Sequence, residues 1–152
     1  RTQEQQNVEQ PLHVFLYSGG RTMTCRGIRG AVCVETNDAK AIVTATREML
    51  EQIVADNDLA VEDIACVIFT ATPDLDTAYP ARAAREMGWM TTPLLCEQEM
   101  MVKGGLPRCI RALILWNTDL PADQIRHVYL GKARALRPDL AEREDAGSKK
   151  QD

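Results

Sequence analysis

Apolar positions along the chain fall into two periods. Ile42, Thr46, Met49, Leu50 and Ile53 recur at i, +4, +7, +8 and +11, which lays one stripe along a helix of about four turns. The Thr-Asn-Asp just before it, residues 36–38, offers acceptors for the free N–H groups of a helix start. "IACVIFTAT", residues 64–72, is continuously apolar and stops at Pro73, the pattern of a strand buried on both faces. "RCIRALILWNT", residues 108–118, reads as another strand. Period two sets Cys109, Arg111, Leu113 and Leu115 on one of its faces and Ile110, Ala112, Ile114 and Trp116 on the other.

Punctuation places the remaining elements. A first strand runs from Cys25 to about Glu35, and a third occupies "TPLLCEQ", residues 92–98. Between Pro80 and Gly88 lies a short helix that carries Arg82 and Arg85 on one face. "LPADQ" predicts a turn or short helix before a fifth strand, residues 125–131, with Ile125, His127 and Tyr129 on one side. Five strands with a covering helix predict one α/β domain, and 152 residues suffice for a single core. Residues 1–24 are polar and Gln-rich and read as an extension, with "LHVFLYS" as a possible accessory strand and Met23 as the expected native start. Residues 25–140 form the domain; residues 141–152 are charged and expected to be a flexible tail.

A net charge of −4 argues against a general nucleic-acid binder, so an anionic ligand would need a local basic pocket. Arginine dominates the cations, 13 against 5 lysines, which favours the side chain that grips carboxylates with a planar fork. Five cysteines without a CxxC pair suggest free thiols in a reducing cytoplasm. No apolar run approaches the ~18 residues needed to span a bilayer. Phosphate-loop, dinucleotide and zinc-ligand spacings are missing, so neither cofactor nor metal is expected.

Arg111 is the anomaly. Whichever way it points in its strand it has apolar neighbours, and an unpaired buried charge costs several kcal/mol. An anion must meet it, either Glu99 or Glu97 as a structural ion pair or a bound ligand. Arg29, between Gly27 and Gly30, poses the same question in the first strand, unless that strand is an edge facing solvent. Tyr129 can present a hydroxyl to the same region if the fifth strand neighbours the fourth. Arg82 and Arg85 would ordinarily be a solvated helix face. Such arginines, with one glutamate and one tyrosine, suit a small polyanion whose charge shifts during reaction.

Taken in order, "RGIRGA", "TATPDL", "YPARAAR", "CEQEMMVKGGLPRCIR" and "IRHVYLGKARALRPDL" resemble the monofunctional chorismate mutases of the AroH class over residues 25–140. The resemblance implies a homotrimer with a five-stranded mixed sheet and outer helices, a pseudo-α/β-barrel with sites between subunits. It implies the Claisen rearrangement of chorismate to prephenate, without cofactor or covalent intermediate. By similarity, Arg111 would donate to the ether oxygen of the breaking bond and Glu99 would engage the ring hydroxyl. Arg29 would hold a carboxylate, with Tyr129, Leu95 and Cys96 along the same wall. Tyr79, Ala81, Arg82 and Arg85 would come from the neighbouring subunit, and Leu136 and Arg137 from a segment closing the entrance. Tyr79 and Arg82 depart from the family's usual Phe and Lys, and the link from Gly88 to Pro93 is one residue short. Two rivals are a trimeric imine deaminase of the RidA type, separated by ammonia release, and a non-catalytic regulatory trimer, separated by a turnover assay.

Overall fold

The computed structural model describes residues 24–139. The accessory strand, Met23 and the charged tail expected from the sequence lie outside these residues. In chain order the elements are β1 (Thr24–Cys33), α1 (Ala39–Asn57), β2 (Ile64–Ala71), α2 (Ala81–Glu86), β3 (Leu94–Gln98), β4 (Cys109–Thr118) and β5 (Val128–Leu130). Three single 3₁₀ segments, Val61–Asp63, Ala122–Gln124 and Gly131–Leu136, link them. Thr24, assigned above to the extension, already pairs with Thr118 in the sheet.

The sheet order is β3-β2-β4-β1-β5. Strand β4 runs antiparallel to both β1 and β2, while β2/β3 and β1/β5 are parallel. The sheet is therefore mixed, as the resemblance implies. Asp38 caps α1 by accepting a hydrogen bond from the Ala41 N–H at 2.9 Å. The whole predicted stripe, Ile42, Thr46, Met49, Leu50 and Ile53, is buried. It packs with Ile28, Val67, Phe69, Ile110 and Ile114 in one core that covers a single face of the sheet.

Gly30 explains how closely that helix sits. A Cβ there would lie 2.7 Å from Ile53 Cδ1 and 2.8 Å from Met49 Sδ, so the glycine admits α1. Gly30→Ala is expected to destabilise the protein by about 1–3 kcal/mol through overpacking, measured as a shift of the urea midpoint at unchanged m-value.

Three expectations need correction. Strand β2 is buried on one face only: Val67 and Phe69 are inaccessible, whereas Cys66, Ile68 and Thr70 are half-exposed. The continuous apolar run carries no information about what covers its second face. Strand β5 begins only at Val128, because the ring of His127 accepts from the Arg29 N–H at 3.1 Å where a ladder bond would otherwise form. Ile125 consequently joins the core instead of sharing a strand face with Tyr129. Finally, Cys33 and Cys109 form a disulfide. They are 76 residues apart but directly opposite in the β1/β4 ladder, a proximity that parity and spacing cannot reveal. The cysteine argument for a reducing compartment loses its force.

Candidate active site

Alternation along β4 decides which side chains leave the core. Ile110, Ala112, Ile114 and Trp116 are buried beneath the helices, while Arg111 and Leu113 emerge on the opposite, open face. The start of the strand is firmly held. Arg108 adopts a left-handed backbone, φ +49°, and its N–H donates to both carboxylate oxygens of Asp74 at 3.1 and 2.9 Å. Burial pushes the Asp74 carboxyl up, but hydrogen bonds from the Thr72 hydroxyl and the Arg108 N–H hold it below the ordinary carboxylate range.

On the open face, Arg111 of β4, Ala31 of β1 and Tyr129 of β5 stand in one row of the register. Tyr129 is thus two strands from Arg111, not on the neighbouring strand, and the small Ala31 lies between them. Arg29 faces Leu113 one step along the same side of β1. It belongs to an inner strand, which removes the edge-strand reading. These residues line a cavity of about 370 Å³, together with Thr70, Leu136 and Arg137. That volume lies in the range of small-ligand sites.

Arg111 forms an ion pair with Glu99, its Nε 2.9 Å from Oε1, yet its side chain stays 46% exposed. No described residue accepts from its two terminal nitrogens. The structural ion pair and the ligand role are therefore compatible, because the pair uses one edge of the guanidinium. Glu99 itself, 14% exposed, does not line the cavity and reaches it through Arg111 and Thr70. The Arg29 guanidinium makes no ion pair with a described residue. Arg137 forks onto Asp139 at 2.8 and 2.7 Å, and this hydrogen bonding raises its already high pKa.

The remaining predicted site residues lie elsewhere in the same chain. Tyr79, 75% exposed, lines a second cavity of about 410 Å³ with Cys96 and Glu97. Thr70 is common to both cavities. Leu95 is exposed, whereas the Ala81 side chain is buried in the chain's own core, which leaves its backbone alone available to a ligand. Arg82 donates from Nε to Glu86 Oε1 at 2.7 Å, and Arg47 holds the other Glu86 oxygen at 3.1 Å. Arg85 is exposed and has no ion pair among the described residues. Within one chain, then, this group does not meet Arg111. Thr70 and Asp139 were not anticipated, since a strand threonine and an acid near the chain end carry no distinguishing pattern. Among the described residues no cluster of His, Cys, Asp or Glu could hold a metal ion.

Burial pulls the His127 pKa down, helped by the positive charges of Arg29 and Arg137. Because the folded value lies below the ordinary 6.5, the unfolded chain takes up this proton first. Stability linked to His127 is complete above that pH and is lost as pH falls toward the folded value. Protonating Nδ1 would also break its bond from the Arg29 N–H. The fall in stability between pH 7 and about 5 is expected to be steeper in the wild type than in His127→Ala, read from urea midpoints across that range.

The mixed sheet presents an arginine-lined cavity whose charge and size suit a small anion. Comparison with known proteins narrows that class. Residues 25–140 match the family model described as chorismate mutase type I. The chain is 48% identical over 120 residues to the chorismate mutase AroH of Bacillus subtilis, covering 78% of this chain and 94% of that protein. It is 53% identical over 116 residues to the chorismate mutase AroH of Thermus thermophilus, covering 76% and 95%. A solved structure of the chorismate mutase from Clostridium thermocellum superposes with a TM-score of 0.71 at 46% identity, over 72% of this chain and 97% of that one. The chain belongs to the chorismate mutase type I family, and its activity is that of an isomerase, a chorismate mutase of aromatic amino acid biosynthesis.

Proposed function

We propose that chorismate binds in the cavity of Arg29, Arg111, Tyr129 and Arg137 and rearranges to prephenate there by electrostatic stabilisation and conformer selection, with no covalent intermediate. The observation that carries this is the convergence of three arginines on one cavity, with the terminal nitrogens of Arg111 left to a ligand. Chorismate is a dianion. As the bond between its ring carbon and ether oxygen lengthens ahead of carbon–carbon bond formation, negative charge collects on that oxygen. A fixed guanidinium stabilises this charge more than it stabilises the ground state, so the barrier falls. Arg29 clamps a carboxylate and favours the compact pseudo-diaxial conformer. Arg137 takes part once a ligand carboxylate replaces Asp139, with Leu136 at the same rim. Glu99, outside the lining of this cavity within one chain, contributes through its hold on Arg111; its Oε2 receives no donor from a described residue and would meet the ring hydroxyl where the substrate extends past Arg111.

A homotrimer completes the reading. Tyr79, Met90, Leu95, Met100, Met101 and Val102 are all more than half exposed, and one face of β2 is uncovered. A second copy would bury these residues and bring Tyr79, the Ala81 backbone, Arg82 and Arg85 toward the arginine cavity of its neighbour, with Leu95 and Cys96 lining the joint wall. A cytoplasmic setting is part of the same proposal. Among the described residues no helix is long and apolar enough to cross a membrane. Loss of chorismate absorbance on adding the purified protein tests the reaction; unchanged absorbance at micromolar enzyme would refute it.

A further inference from the structure

Thr70 stands directly opposite Arg111 in the β2/β4 ladder. Its hydroxyl donates to Glu99 Oε1 at 2.6 Å, the same oxygen that pairs with Arg111 Nε at 2.9 Å. One hydrogen bond and one ion pair thus converge on a single carboxylate oxygen. The Glu99 backbone is pinned as well, its N–H donating to the Ala71 carbonyl at 2.9 Å. We infer that Thr70 is a positioning residue, which holds Glu99 in a one-pronged grip on Arg111 and keeps the outer edge of the guanidinium open to substrate. This rests on the reading of the Arg111 cavity as the substrate site.

Without the Thr70 hydroxyl, Glu99 would be free to change its grip on Arg111. An arginine and a carboxylate prefer two parallel hydrogen bonds. A Glu99 free to rotate about its last bond would present both oxygens to Arg111 and turn the guanidinium edge toward itself. The Thr70 hydroxyl opposes that rotation by fixing Oε1 from the strand side. Threonine suits the task because its branched Cβ restricts χ1, and a strand backbone fixes the direction in which it projects. Thr70 also borders the second cavity, the one that contains Tyr79, so the group that orients Glu99 sits on the wall common to both.

The test is a kinetic cycle of Thr70→Val, Glu99→Ala and the double variant, with Thr70→Ser as the conservative control. Thr70→Val is expected to lower kcat about 10- to 100-fold, the effect of losing one hydrogen bond to a charged group, while KM changes little. Thr70→Ser is expected to recover most of that loss, and Thr70→Val in the Glu99→Ala background is expected to cost nothing further. An equal loss in both backgrounds, or a Thr70→Val enzyme with wild-type kcat, overturns the inference. Thermal melts check folding, and Thr70→Ala replaces Thr70→Val in the cycle if the valine variant does not fold. Failure of the underlying site reading has a different signature, since Arg111→Ala would then leave kcat unchanged.

Discussion

Arg111→Ala is expected to lower turnover by at least about 10²- to 10³-fold, the cost of losing one donor to an oxyanion-like transition state. Two features place the effect in kcat rather than in folding. The side chain lies on the open face of β4 and is 46% exposed, so its removal leaves the helix-covered core untouched. In the proposed mechanism it meets charge that develops only as the ether bond breaks, so kcat and kcat/KM should fall together. Arg111→Lys keeps a charge but cannot pair with Glu99 along one edge while presenting two further nitrogens to a ligand, and partial activity at best is expected. Single-wavelength assays of chorismate loss, with melts to verify folding, measure both.

The second large effect concerns subunit sharing. Tyr79, Arg82 and Arg85 sit apart from the Arg111 cavity in one chain, yet Arg85 is an exposed cation with no ion pair among the described residues. If each site draws Arg85 from one subunit and Arg111 from the next, Arg85→Ala and Arg111→Ala are each nearly inactive as pure proteins. Refolded together in equal amounts with random mixing, they should regain about a quarter of the wild-type turnover, because about one site in four receives both intact arginines. Activity no higher than the mean of the two pure variants would mean that each site is built within one chain.

The sequence carried the site residues further than it carried their neighbours. Arg111 stood out because period two makes a charge inside an apolar strand conspicuous, and its ion pair with Glu99 was among the alternatives so raised. Helix α1 was equally plain, since its stripe and cap agree, although at 19 residues it runs about a turn longer than the stripe implies. Strand order was another matter. Tyr129 meets the Arg111 face only because Ala31 bridges two strands, and the disulfide follows from the β1/β4 register; neither can be known before the strands are ordered. Thr70 was hidden for the same reason, being unremarkable until it is set opposite Arg111. The uncovered face of β2 has a different cause. A continuous apolar run gives no period by which to tell the helix-covered face from the open one.

A crystal structure of the protein with prephenate bound would show directly whether Arg111 meets the migrating oxygen. The ketone oxygen of prephenate is the former ether oxygen. The account predicts that this oxygen lies about 2.7–3.2 Å from a terminal nitrogen of Arg111, with Glu99 still held by Thr70 and a product carboxylate on Arg29. Prephenate bound with that oxygen facing solvent, or in a site that Arg111 does not line, would contradict it.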